Sequence, residues 1–201
     1  MDQVGQHAAQ EIENAYISVE LKADAIKRFR SGLRESFQSQ GIACEDASAN
    51  PHVSIAYGEG RVDLNEIGEV AEEIASTGFQ VRAKSFELLS GQTTNFDYLV
   101  ICLESSGDFA NAVDLIEDHM QVKTFEGGFK SHVSLLKFEK GSLARDAAEE
   151  LVRELNASQG AVFALGRCLC LEGQCVCVFG AERQCCLRAE ISGAAAAAVA
   201  A

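Results

Sequence analysis

Polar and apolar positions along this chain fall into short extended runs and longer amphipathic stretches, in an order that occurs twice. An apolar run opens at Tyr16–Leu21, a helical stretch follows over residues 23–38, and a second extended run begins near His52, 36 residues after Tyr16. The same order restarts at Tyr98, with an apolar run over 98–103, a helical stretch over 109–120, and an extended run at His132, 34 residues after Tyr98. Self-similarity of this kind predicts a duplicated unit. Beyond the first copy, Leu64, Ile67, Val70, Ala71 and Ile74 recur at helical spacing, so the periodicity predicts a helix over 63–76 with Asp63 as N-cap. Thr77-Gly78 ends it, and 79–89 reads as a strand. The second copy repeats the pattern. Ser142 caps a helix through Leu155, 156–160 is a turn, and 161–171 and 174–179 are expected to pair as a hairpin about Glu172-Gly173.

Within this frame the tripeptide His-Val-Ser occurs at both equivalent places, His52-Val53-Ser54 and His132-Val133-Ser134. Side chains two apart on a strand point to one face. Each copy therefore presents an imidazole and a hydroxyl together, while Val53 or Val133 points the other way. Adjacent strands would bring two His and two Ser to one cleft.

Composition narrows the function classes. A chain of 201 residues, 47% apolar, is long enough for one full core. No apolar stretch approaches the roughly 18–20 residues of a membrane span. Residues 1–14 lack the basic and apolar regions of a secretion signal, so a cytoplasmic protein is expected. A formal charge of −13 argues against a duplex-DNA binder, because backbone affinity comes from clustered Lys and Arg. Lys123, Lys130, Lys137 and Lys140 nevertheless surround the second motif. They are either solvated lysines or a local positive field for a small anion.

Six of the eight cysteines crowd into the segment from Cys168 to Cys186. With a turn at Glu172-Gly173, Cys170 would face Cys175 and Cys168 would face Cys177. Reduced apolar cysteines, a structural zinc site and disulfides are the three readings. Zinc is disfavoured by the absence of the usual Cys-x2–4-Cys loops, and disulfides by the absence of a secretion signal. The Ala-rich end from Gly193 onward carries no chemistry.

Two imidazoles on one cleft suit paired acid and base work, and hydroxyls beside them suit phosphate oxygens. Phosphodiester cleavage uses all four: one His deprotonates a 2′-hydroxyl or a water, and the other protonates the leaving oxygen. The segments Pro51-His52-Val53-Ser54-Ile55 and Ser131-His132-Val133-Ser134-Leu135, within a duplicated body covering residues 15–181, resemble the 2H phosphoesterase superfamily. That superfamily includes RNA 2′,3′-cyclic phosphodiesterases, 2′,5′-oligoadenylate phosphodiesterases and phage enzymes that degrade cyclic oligonucleotides.

The resemblance implies an α+β fold: two lobes built from duplicated strand-helix-strand units, central antiparallel sheets, and a cleft between the lobes. It implies a metal-independent phosphodiesterase without cofactor, acting on an RNA end, a small nucleotide or a cyclic oligonucleotide. His52 and His132 are the expected catalysts, with Ser54, Ser134, Lys130 and Tyr57 against the substrate; Tyr57 and Phe129 could also serve only as core. A monomer is expected, with an extension at 1–14, the domain at 15–183 and a tail at 184–201. The rival expectation is an inactive nucleotide- or RNA-binding module of the same fold.

Overall fold

The structure, a computed structural model, describes residues 10–22, 24–92, 94–125, 128–141, 144–157, 170–181 and 183–191. The first copy contributes β2 (Tyr16–Leu21), α1 (Asp24–Ser39), β3 (Glu45–Asp46), β4 (His52–Tyr57), α2 (Leu64–Thr77) and β6 (Gln80–Ser90). The second contributes β7 (Phe96–Leu103), α3 (Asp108–Glu117), β8 (His132–Glu139), α4 (Ala144–Ala157) and β9 (Cys170–Phe179), and β10 (Cys185–Glu190) closes the chain. The fold is α+β, with an eight-stranded sheet in which β10, β9, β2, β4, β8, β7 and β6 follow one another and β3 sits on β8. All of its pairings are antiparallel. As predicted, Asp63 caps α2, its carboxylate accepting from the Asn65 amide at 2.8 Å.

One face of the sheet is apolar and covered by helices. Val19, Val53, Val133, Leu135, Val176 and Val178 are fully buried there, with α2 packed on β9 and β10, α3 on β4, and α4 on β6, β7 and β8. The alternate positions on the same strands form the other face, which carries the polar groups discussed below.

The lobes do not coincide with the two copies. Residues 91–95 join β6 to β7, so short a connection that the two strands pair as a hairpin. The last strand of the first copy therefore joins the second lobe. By the same symmetry β9 pairs with β2 in the first lobe. The lobes meet through β4 and β8, whose register contains the single pair Val53↔Val133. At the far side, the start of β9 pairs with β6 from Gln80↔Glu172 to Arg82↔Cys170.

That pairing corrects the expected hairpin about Glu172-Gly173. Residues 170–179 are one continuous strand that leaves β6 and joins β2. Gly173 lies at the crossing, where a Cβ would come within 2.6 Å of Ile191, 2.9 Å of Val19 and 3.0 Å of the Phe79 Cβ. The glycine answers a close approach of three elements, a need that in sequence looks the same as a turn. Cys170 consequently does not face Cys175, and Cys168 lies outside the described residues.

Strands also lie beyond the expected domain limits. Residues 185–190, placed in the tail by sequence, form β10 against β9, and β1 (Glu11–Glu13), within the expected extension, pairs with β5 (Arg61–Asp63). Among the described residues no helix is long and apolar enough to cross a membrane.

Candidate active site

Antiparallel pairing at Val53↔Val133 fixes the arrangement of the four motif side chains. Both valines point into the core, so His52, Ser54, His132 and Ser134 emerge on the opposite face. His52 lies on the Ser134 side and Ser54 on the His132 side. The two histidines are thus diagonal neighbours, about 7–8 Å apart at the backbone, a span that one phosphate can bridge. All four line a cavity of about 570 Å³, within the size range of small-molecule sites.

The two imidazoles are anchored alike. His52 Nδ1 lies 3.0 Å from the Asn50 carbonyl and His132 Nδ1 lies 2.7 Å from the Lys130 carbonyl. A carbonyl can only accept, so each Nδ1 carries hydrogen and each neutral ring keeps a free lone pair on Nε2. Burial lowers the pKa of His132, an effect that the hydrogen bond to the Lys130 carbonyl opposes and the nearby His52 reinforces. The segment before His52 is held by buried Arg30, which donates to the Ser48 carbonyl at 2.6 Å and pairs with Asp46 at 3.1 Å.

The serines differ. Ser54 is buried, and its hydroxyl lies 2.8 Å from the Tyr16 hydroxyl and 3.4 Å from that of Tyr57. Tyr16 stacks on Tyr57 at 4.8 Å and packs on Phe179 at 5.5 Å. Burial, with Tyr57 beside it, pushes the Tyr16 phenol well above its ordinary pKa, so it stays protonated. Tyr98, the counterpart of Tyr16 in the second copy, also lines the cleft, but its hydroxyl meets Thr94 at 3.2 Å.

Lys130 precedes β8, and its ammonium pairs with Glu87 at 3.1 Å on the surface. It lines an adjoining cavity of about 520 Å³ that also reaches His132, Ser134, Tyr57 and Tyr98. Lys137 and Lys140 are similarly occupied, Lys137 with Glu45 at 2.9 Å and Lys140 with the Gly91 carbonyl, whereas Lys123 lies over the Phe125 ring at 5.8 Å. Among the described residues, the cation lining the main cleft is Arg183, at its exposed rim. Tyr57 belongs to an aromatic cluster with Tyr16, Phe125 and Phe129. His119, just past the end of α3, meets Glu66 at 3.1 Å; His7 lies outside the described residues.

Sequence reasoning missed Tyr16, Ser18, Glu20 and Arg183 as cleft residues. The first three carried a readable signal: they alternate on β2 with core residues Ile17, Val19 and Leu21, which places them on the face of the motif side chains. All three tyrosines of the chain line this cleft.

No protein-family model matches the sequence, and no curated protein matches it. Solved structures do. Usb1 of Kluyveromyces marxianus superposes with a TM-score of 0.56 at 12% identity, over 89% of this chain and 98% of that one. The chain has the 2H phosphoesterase fold. The structure of the same Usb1 with uridine monophosphate also matches this 2H fold, with a TM-score of 0.54 at 12% identity over 88% and 97% of the two chains. The MHV ns2 PDE domain overlaps at a TM-score of 0.43 and 15% identity, over 64% and 86%.

Proposed function

We propose that this 2H-fold protein is a metal-independent phosphodiesterase that acts on RNA ends or small nucleotides through two-histidine acid-base catalysis. One observation carries the reading: two histidines at equivalent points of a duplicated sheet, each with Nδ1 tied to the carbonyl two residues back, share one cleft with two serines. Each Nε2 is the free proton-transfer atom of its ring, the requirement for an acid or a base. The lowered proton affinity of His132 suits the base, which takes a proton from a 2′-hydroxyl or a water. His52 then protonates the leaving oxygen. Ser54 and Ser134 donate to the non-bridging oxygens, and Arg183 adds positive charge at the rim. The nucleotide bound in the structurally similar Usb1 supports a nucleotide or RNA end as the substrate. The terminal 2′,3′-cyclic phosphate, the 2′,5′-linked oligonucleotide and the cyclic oligonucleotide all present the same reacting group.

The test is product mapping on a panel of these substrates, followed by substitution. His52→Ala and His132→Ala should each lower turnover by roughly 10²-fold or more. The double variant should be little worse than the worse single one, because residues that act as a unit are non-additive. Near wild-type turnover in either folded variant would overturn the mechanism and leave a binding module of the same fold.

A further inference from the structure

On the same sheet face, one and two strands outward from His52, lies a group of side chains that the proposed acid-base chemistry does not use. Cys175 and Cys177 alternate with core valines on β9 and are fully buried. The register pairs Cys175 with Glu20 of β2, and Glu20 in turn with His52 of β4. The Cys175 and Cys177 sulfurs are 3.7 Å apart, and the Cys175 sulfur lies 3.6 Å from Glu20 Oε2. One ligand atom from each of the three residues falls within 4.8 Å of the others.

We propose that Glu20, Cys175 and Cys177 form a binding site for a thiophilic divalent cation of the zinc class. Tetrahedral zinc with Zn–S near 2.3 Å and Zn–O near 2.1 Å separates two sulfurs by about 3.8 Å and a sulfur from an oxygen by about 3.6 Å. The Cys175–Cys177 and Cys175–Glu20 distances already have these values, and the third, between Cys177 and Glu20, lies within 4.8 Å. The usual Cys-x2–4-Cys loop is absent, and its place is taken by a third ligand, Glu20, from the neighbouring strand. Two thiolates and a carboxylate around a divalent ion leave one excess negative charge. Arg188, 3.1 Å from Glu20 Oε2, balances it. A disulfide fits less well, since Cα atoms two apart on a strand are about 6.6–6.8 Å apart, at the far limit of disulfide geometry.

Three protein ligands leave the fourth tetrahedral position to water or another donor. An ion there clamps β9 to β2, and β9 is the strand that also reaches β6 in the other lobe. The site is thus a brace beside the cleft, and no proton transfer passes through it.

The full chain, stripped with EDTA and freed of chelator, should be titrated with Co²⁺ and followed by absorbance. The expected result is a thiolate-to-cobalt charge-transfer band that saturates at one ion per chain and is displaced by Zn²⁺. Cys175→Ala and Cys177→Ala should each abolish the band and Glu20→Gln should weaken binding, while Cys44→Ala and Cys185→Ala leave it unchanged. Cd²⁺ bound to the unsubstituted protein should give one ¹¹³Cd resonance at a shift set by two sulfurs, a readout that does not depend on any variant folding. The proposal is overturned if stoichiometric Co²⁺ gives no such band, if the band survives intact in Cys175→Ala, or if ¹¹³Cd reports oxygen ligands only. None of these readouts involves turnover, so the outcome is independent of the phosphodiesterase reading.

Discussion

Removing the Tyr16 hydroxyl isolates the part of the cleft that the duplication does not explain. In Tyr16→Phe the ring stays packed between Tyr57 and Phe179, and the main loss is the 2.8 Å contact with Ser54, beside weaker hydrogen bonds with Ser18 and Tyr57. The stability cost should be that of one neutral hydrogen bond, about 0.5–1.5 kcal/mol by urea denaturation. The effect on turnover follows from what Ser54 does. If its hydroxyl donates to a charged phosphoryl oxygen, Ser54→Ala should cost about 1.5–3 kcal/mol, roughly 10- to 150-fold. Tyr16 acts on the substrate only through Ser54, so Tyr16→Phe must cost less, about 1 kcal/mol or some fivefold in kcat. The Tyr16→Phe/Ser54→Ala double variant should then match Ser54→Ala alone, a coupling of about 1 kcal/mol. Tyr57→Phe, which removes a hydroxyl 3.4 Å from Ser54, should cost less than Tyr16→Phe. Additive losses in the double variant would mean that Tyr16 touches the substrate directly. An unchanged kcat in Tyr16→Phe would refute the orienting role.

Other expectations follow from the same structure. Phosphodiesterase turnover should persist in excess EDTA; loss of activity that Mn²⁺, a poor ligand partner for thiolates, restores would instead route the reaction through a metal. Gly173→Ala should destabilise the fold by about 1–3 kcal/mol, because the new methyl meets Val19, Phe79 and Ile191 at the β6–β9–β2 crossing. Asp97 is fully buried and holds Arg145 at 2.9 Å and Ser90 at 2.6 Å, so Asp97→Ala should cost about 2–3 kcal/mol in urea, which is less than a fully buried pair because Arg145 is partly exposed. His132 binds its proton less readily in the folded state than its ordinary value of 6.5, so below about that pH the unfolded chain binds more protons. Its contribution to stability should therefore fall as pH drops below that value. His132→Asn should flatten the dependence between about pH 5 and 7 in urea melts.

The duplication, the strand identity of both motifs and the orientation of their side chains were legible because they depend on local periodicity. A His-Val-Ser tripeptide on a strand has little freedom in which way its first and third residues face. The exchange of β6 and β9 between lobes was not legible, because it depends on the length of one connection and on which edges remain open after the hairpin forms. Gly173 shows the limit most directly: its neighbours Val19, Phe79 and Ile191 are far apart in sequence, so the close approach that requires a glycine leaves no local trace. Lys130 was chosen for its offset of two from His132, but β8 begins only at His132, and Glu87 of β6 takes the ammonium.

Duplication also creates a problem that the rest of the cleft must solve. Two identical motifs in a symmetric frame yield two equivalent imidazoles, whereas phosphodiester cleavage needs one ring that accepts a proton and one that gives it. The difference must come from the neighbouring strands, and the positions that correspond there are unlike. Glu20 of β2 stands opposite His52, whereas Cys102 of β7 stands opposite His132. Ser18 stands opposite Ser54, whereas Val100 stands opposite Ser134. The first motif thus sits in a polar surround that includes the Tyr16–Ser54 hydrogen bond, whereas the second faces Val100 and the Cys102 thiol, itself bonded to Glu87, and its burial disfavours a charged ring. Replacing the odd member of a corresponding pair should narrow the difference. Cys102→Asp would set a carboxylate opposite His132 and raise its proton affinity, moving the acidic limb of the kcat/KM profile, which the base sets, to higher pH. A profile unchanged in the folded variant would show that the strand neighbours do not decide which histidine is the base.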